Sequence, residues 1–215
     1  MSKDNQTPQI LFWSQDFGNN YTDRNPQSTE ELDRLYLRDY GVSRSSMNNE
    51  FLEGLSRDLK ILEVGSNIGL QLEVLRKMGF TRAEGVELND YAVSQAKKIH
   101  PNVTVESGSV FNLPYADNYF DLVFTSGVLI HIDPKDLGEA TYEIHRVSKK
   151  LIWGFEYFAT EPMDIEYRGE KGFLWKRDFG AFYLESFSDL KLIKEKKFKM
   201  MGSENVSSMF LLEKK

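Results

Sequence analysis

Residues 61–69 read Ile-Leu-Glu-Val-Gly-Ser-Asn-Ile-Gly, and the next apolar run closes on Gly85-Val86-Glu87. A short apolar run that stops at a glycine-containing turn and passes into an amphipathic stretch predicts a buried strand handing over to a helix, the repeating unit of a layered α/β sheet. Glycines in that turn let a ligand approach the backbone closely. An acid ending the following strand is placed to accept both hydroxyls of a ribose. The turn is Glu-x-Gly-x-x-x-Gly, without the G-x-G-x-x-G of dinucleotide binders or the Gly-Lys-Ser/Thr of a P-loop. The expected ligand is a nucleoside without a pyrophosphate, of which S-adenosylmethionine is the commonest.

The same rhythm continues along the chain. Ile61 to Val64, Ala83 to Leu88, Val103 to Glu106, Tyr119 to Thr125 and Leu151 to Phe158 read as strands. Leu70 to Met78, Tyr91 to Ile99 and Pro134 to Val147 read as the helices between them, which implies right-handed crossovers and a parallel sheet covered on both faces. Leu190 to Phe198 and Val206 to Glu213 lie too close for a helix to intervene, so they are expected to form an antiparallel hairpin. Ahead of the sheet, Phe12, Trp13, Phe17 and Tyr21 recur at the spacing of one helical face. Ser28-Thr29-Glu30-Glu31 marks the start of a helix running to Tyr40, with Gly41 closing it. The division expected is one domain over 1–215: a helical cap at 1–50, a ligand-binding core at 55–160, an insertion at 159–183 and the hairpin at 190–215.

Composition narrows the partners. With 27 basic and 33 acidic residues the formal net charge is −6, so no overall positive field favours nucleic acid or an anionic membrane. The absence of cysteine removes disulfides, thiolate nucleophiles and thiolate metal sites. Three scattered histidines form no metal signature. Met1 to Pro8 has no export-signal pattern, and Leu122 to Ile132 is too short and interrupted to span a bilayer, so a cytoplasmic chain is expected.

The series Glu63-Val64-Gly65-Ser66-Asn67-Ile68-Gly69, Gly85-Val86-Glu87, Ser107-Gly108-Ser109, Leu113-Pro114 and Phe120-Asp121-Leu122-Val123-Phe124 through His131 resembles the class I SAM-dependent methyltransferases over roughly residues 55 to 160. The resemblance implies a Rossmann-like α/β sheet in the order 3-2-1-4-5-7-6 with strand seven antiparallel, helices on both faces and a small amino-terminal cap. Phe12-Trp13 to Phe17-Gly18, Tyr21, Arg24-Asn25, Tyr167-Arg168-Gly169 and Leu174 to Gly180 look like the pseudaminic acid biosynthesis-associated methylases. That narrower likeness implies methyl transfer to an oxygen or nitrogen of a small, nonulosonate-like glycan precursor. Asn67 and Ser109 depart from the class, where a second glycine and an adenine-binding acid are common.

Candidate roles follow. Gly65, Asn67 and Gly69 would form the cofactor turn, and Glu87 would hold the ribose, with a salt bridge as its structural alternative. Glu63 would either accept turn amides or meet the methionine ammonium. Leu88, Ser109 and Val110 would flank adenine, and Ser126 and Gly127 would make the floor. Trp13 and Tyr21 would close a lid by cation-π attraction, or only glue the cap to the sheet. His131 is the candidate general base, with loop capping as its alternative. Glu156 and Tyr157, ending a strand across the expected pocket, would orient the acceptor or take its proton. Tyr167, Arg168, Trp175 and Arg177 would bind the acceptor, the two arginines suiting a carboxylate or phosphate, or belong to a solvated loop. Methylation of another metabolite or of a glycosylated protein, and cofactor binding without catalysis, stand as alternative functions.

Overall fold

The computed structural model describes residues 7–215; residues 1–6, most of the stretch without an export signal, lie outside it. Ahead of the sheet run helices α1 (Pro8–Ser14), α2 (Asp16–Arg24), α3 (Thr29–Tyr40) and α4 (Arg44–Leu52). Then come β1 (Ile61–Val64), α5 (Leu70–Lys77), β2 (Ala83–Glu87), α6 (Asp90–Ile99), β3 (Thr104–Ser107) and β4 (Phe120–Ser126). A 3-10 turn at Leu129–His131 leads to α7 (Leu137–Val147) and β5 (Ser148–Phe158). The remainder is β6 (Met163–Asp164), β7 (Trp175–Lys176), α8 (Phe179–Ser186), β8 (Leu190–Lys199) and β9 (Val206–Lys214).

The main sheet has the order β3-β2-β1-β4-β5-β9-β8. Its first five strands pair in parallel, and β9 runs antiparallel to both β5 and β8. With the short β6–β7 pair set aside, this is the order the resemblance implies. Alternation along the strands builds two cores. Leu62, Val64, Val123 and Ile152 face α7 and α8 through Leu137, Ile144 and Tyr183. Ile61, Leu122, Phe124 and Trp153 face the opposite side, where Met47 and Phe51 of α4 cover them. β9 serves both, sending Phe210 and Leu212 one way and Met209 and Leu211 the other.

Local chemistry explains the ends of α3. Ser28 Oγ accepts from the Glu31 amide at 3.3 Å while Glu31 accepts from the Gln27 amide at 2.8 Å, a reciprocal cap. Gly41, at φ 71°, closes the helix with a bond to the Leu37 carbonyl.

Several elements differ from expectation. The aromatic stripe is split between α1 and α2 by extended backbone at Gln15. α4 has no clear apolar periodicity and few strong helix formers; its cap at Ser43 and the burial of Met47, Phe51 and Leu52 hold it. α8 and the β6–β7 pair give structure to the expected insertion. β5 starts at Ser148, immediately after α7, because Ser148 Oγ donates to the Leu151 carbonyl at 2.9 Å and closes the corner.

Candidate active site

The β1–α5 turn depends on glycine for its conformation and for its packing. Gly65 and Gly69 both have φ 73°, and Asn67 lies between them at φ 48°. The Gly65 and Ser66 amides donate to the Val86 carbonyl at 2.8 and 3.2 Å, folding the turn back against β2. A Cβ on Gly65 would meet Val128 Cγ2 at 2.5 Å, so both conformation and space require glycine. A Cβ on Gly69 would instead meet Val103 and Val105, at 2.9 and 3.0 Å. Gly69 packs the turn against the β3 side and is not among the residues lining the pocket beside it.

Glu87 ends β2 inside that pocket and is braced there. Its Oε2 accepts from the Asn67 amide at 2.7 Å and its Oε1 from the Asn89 amide at 2.9 Å. Burial pushes the Glu87 carboxyl up, against the pull of those amides. The two asparagines also tie the helical cap to the site. Asn67 donates to Thr22 Oγ1 at 2.9 Å, and Asn89 donates to the Trp13 carbonyl and to Asn19 Oδ1 at 2.9 and 3.0 Å. Asn67, where glycine is common in the class, thus latches α2 to the turn.

The pocket has a volume of 300 Å³ and takes in the turn, the ends of β2 and β4, and the cap. Leu88, Ser109 and Val110 line one part, Ser126 and Gly127 another, and Trp13 and Tyr21 close it from the cap. Trp13 stands edge-on to Phe17 and Tyr21, with ring centroids 5.3 and 5.1 Å away. Burial pushes the Tyr21 hydroxyl up to about 12, so it stays protonated as a donor.

His131 faces the same pocket. Its Nδ1 lies 2.7 Å from the Phe173 carbonyl oxygen, which can only accept, so Nδ1 carries the proton and Nε2 is the acceptor nitrogen. Its ring lies 4.4 Å from Trp13 and 5.3 Å from Tyr167. Burial lowers its pKa to about 4, so the ring is neutral at ordinary pH. Beneath the loop, the buried Glu156 carboxyl accepts from the Val128 amide at 3.2 Å and the Ile130 amide at 3.4 Å.

Residues 62–151 match the family described as the Methyltransferase domain. The fold is shared with the PH0226 protein from Pyrococcus horikoshii OT3, which superposes with a TM-score of 0.68 at 16% identity, over 91% of this chain and 99% of that one. Over residues 62–151 the chain thus carries a methyltransferase-domain match, on the α/β fold of the class I methyltransferases. A Burkholderia thailandensis 1,6-didemethyltoxoflavin-N1-methyltransferase, solved with S-adenosylhomocysteine, has a TM-score of 0.63 at 14% identity, over 79% of this chain and 76% of that one. In sequence, the 24-methylenesterol C-methyltransferase 2 of Arabidopsis thaliana is 27% identical over 115 residues, 50% of this chain and 31% of that protein. The matched spans take in from 29% to 42% of the curated relatives.

The residues lining the pocket fit S-adenosylmethionine. Four residues lining the pocket carry buried polar atoms without a protein partner: Gln9 Oε1, Trp13 Nε1, Glu63 Oε2 and Ser66 Oγ. They offer a donor, two acceptors and a hydroxyl to a ligand bearing ammonium, carboxylate and hydroxyl groups. Glu63 makes no bond to the turn amides. Burial raises its pKa well above the usual range, eased by Arg44 and reinforced by Glu87. Arg44 is itself fully buried, donating to Asn48 Oδ1 at 2.8 Å and the Tyr36 hydroxyl at 3.0 Å, with Phe155 4.6 Å from its guanidinium. Asn48 passes the network on to Gln71, which lines the pocket.

Some expected site residues stand elsewhere. Glu156 does not line the pocket, because strand alternation turns its carboxyl under the Val128–Ile130 loop. Tyr157 is packed against the core, with Lys176 Nζ 5.6 Å from its ring. Trp175 lies in β7, and the Arg177 guanidinium sits 4.0 Å from the Phe182 ring; neither lines the pocket. Tyr167 stands beside His131, and Arg168 faces a neighbouring groove. Gln71 and Arg44 were not singled out by sequence: one is an ordinary polar residue in a helix, the other sits in a stretch without periodicity. The described residues hold no cluster suited to a metal ion and no helix long and apolar enough to cross a membrane.

Proposed function

We propose that this chain transfers the methyl group of S-adenosylmethionine to an oxygen or nitrogen of a small glycan precursor of the nonulosonate, pseudaminic-acid-like kind. The observation that carries the methyl-transfer part of the reading is the joint placement, in one pocket, of the amide-braced Glu87 carboxylate and the neutral His131 ring; the acceptor class rests on the sequence likeness of the Phe12 to Asn25 and Tyr167 to Gly180 segments.

Glu87 would accept from the ribose hydroxyls with the lone pairs its two amide bonds leave over. Leu88 and Val110 would pack on adenine and Ser109 would hydrogen-bond it. Ser126 and Gly127 would form the floor, and Glu63 would face the ammonium. The bound cofactor supplies an electrophilic methyl group. His131 Nε2 would take the proton of the acceptor hydroxyl or amine as that atom attacks, while Nδ1–H stays on Phe173. Such a base contributes roughly 10²–10⁴-fold. Trp13, Tyr21 and Tyr167 would exclude water from the reacting atoms, and the Asn67 and Asn89 latches would hold that wall in place.

Calorimetric titration with S-adenosylmethionine, S-adenosylhomocysteine and NAD tests the donor. Micromolar binding of the first two, and not NAD, supports the reading; preference for NAD, or no binding by folded protein, overturns it. Methyl transfer to nonulosonate intermediates but not to peptides supports the acceptor class. Turnover of an unrelated metabolite, or cofactor binding with no transfer to any acceptor, overturns it.

A further inference from the structure

A second opening lies beside the cofactor pocket. This groove of 770 Å³ shares Tyr21, Asn25, Pro26 and Leu35 with the pocket, so the same residues form the wall between them. Arg24 of α2, Arg34 and Arg38 of α3, and Arg168 of the β6–β7 connection also line it. Four arginines around one groove reverse locally the sign of a chain whose net charge is −6.

Part of that charge is uncommitted. Arg38 is held by Asp39 through contacts of 2.6 and 3.1 Å. Among the described residues, no ion pair ties Arg24, Arg34 or Arg168 to a carboxylate. Arg24 lies 5.3 Å from the rings of both Phe17 and Tyr21, against the shared wall. The one acid lining the groove, Glu31, accepts from the Gln27 amide, and the charge of Arg34 helps hold its carboxyl below the usual range.

Arg168 also carries a conformational signal. It sits at φ 55°, followed by Gly169 at φ 87°, in a turn closed by reciprocal bonds between Tyr167 and Glu170 of 2.7 and 3.1 Å. A two-residue turn with both φ values positive favours Asn-Gly. An arginine accepts that strain where its position has a use. Space points the same way, because the 300 Å³ pocket sits at the lower end of the usual range of about 300–1,000 Å³ and suits a single ligand.

We propose that the groove is the anion subsite of the acceptor: Arg24, Arg34 and Arg168 hold its carboxylate or phosphate while its nucleophilic atom reaches past Tyr21 and Trp13 toward His131. Guanidinium forks bind either anion bidentately. Calling the ligand an acceptor rests on the methyl-transfer reading; anion capture by the groove does not.

The test is calorimetry at low salt on the chain saturated with S-adenosylhomocysteine, with glucose 1-phosphate, N-acetylneuraminate, inorganic phosphate and neutral glucose as probes. A charged sugar should bind and glucose should not. The tighter of the two charged sugars identifies the anion. Arg34→Gln with Arg168→Gln should weaken that binding by about tenfold or more and leave the affinity for S-adenosylhomocysteine unchanged. Arg24→Gln should act in the same direction. Equal binding of glucose, binding of inorganic phosphate alone, or full retention in the double variant would overturn the subsite. So would a double variant that loses S-adenosylhomocysteine affinity, which would assign the groove to the donor. If S-adenosylhomocysteine fails to bind while these arginines still capture the charged sugar, the donor reading falls and the anion site stands.

Discussion

His131 and the Phe173 carbonyl, 2.7 Å apart, form a donor–acceptor pair that fixes which imidazole nitrogen is basic. His131→Ala should therefore slow kcat by roughly 10²–10⁴-fold with the affinity for S-adenosylhomocysteine unchanged. Single-turnover methyl transfer checks the first part and calorimetry the second. A variant with wild-type kcat would remove His131 from the chemistry.

The same ring sets one pH dependence of stability. Its folded pKa of about 4 lies below the 6.5 of a free imidazole, so as pH falls the unfolded chain binds the proton first. The stabilisation from neutral His131 is complete above about 6.5 and is lost between 6.5 and 4. The stability of wild type relative to His131→Phe, from urea melts across that window, should decline as the pH falls.

Glu156 works in the opposite direction. Burial raises its pKa from 4.5 to about 7, so the folded chain keeps a proton that the unfolded chain has released. Stability relative to Glu156→Gln should fall as pH rises from about 4.5 through 7 and level off beyond. A flat difference across that range would place the carboxyl in a wetter setting than the Val128–Ile130 loop provides.

Glu87 should matter more to binding than to folding. Glu87→Gln keeps an acceptor for one amide but loses the charge-assisted bonds to a ribose diol, for an expected loss of about tenfold or more in affinity for S-adenosylhomocysteine. A ligand lacking the ribose hydroxyls should bind wild type and variant alike. Unchanged affinity for S-adenosylhomocysteine would end the ribose assignment.

Two glycines with similar dihedrals should differ in cost. Gly65 (φ 73°) faces Val128 at 2.5 Å, whereas a Cβ on Gly127 (φ 68°) meets nothing within 4 Å. Gly127→Ala should cost only the left-handed backbone penalty of about 1–2 kcal/mol. Gly65→Ala should cost about 1–3 kcal/mol more through overpacking, and should also weaken cofactor binding. Chemical denaturation of the two variants side by side checks the difference.

Much of the sheet was legible because strand and helix periods differ and each run in this region is bounded by glycine, proline or a cap. Ile61 to Val64 and Leu70 to Lys77 show both patterns within one turn of chain. The hairpin was legible from spacing alone, since Lys199 to Asn205 leaves no room for a crossover. α4 and α8 were not, because Arg44 to Leu52 has no sharp apolar stripe and Phe179 to Leu184 is apolar almost throughout. Their helicity comes from covering the sheet, a tertiary effect.

The sequence by itself determined the alternation of strands and helices from Ile61 to Phe158, the glycine turn and the acid that follows it, since these depend on backbone conformation and on periodicity within short segments. Only the tertiary structure decided which side chains share a cavity. It turned Glu156 beneath a loop and Arg177 onto Phe182, while bringing Arg168 of the β6–β7 connection to the groove lined by Arg24 of α2 and Arg34 of α3. A side chain's direction depends on strand register, packing and desolvation across the fold, which no local pattern of residues encodes.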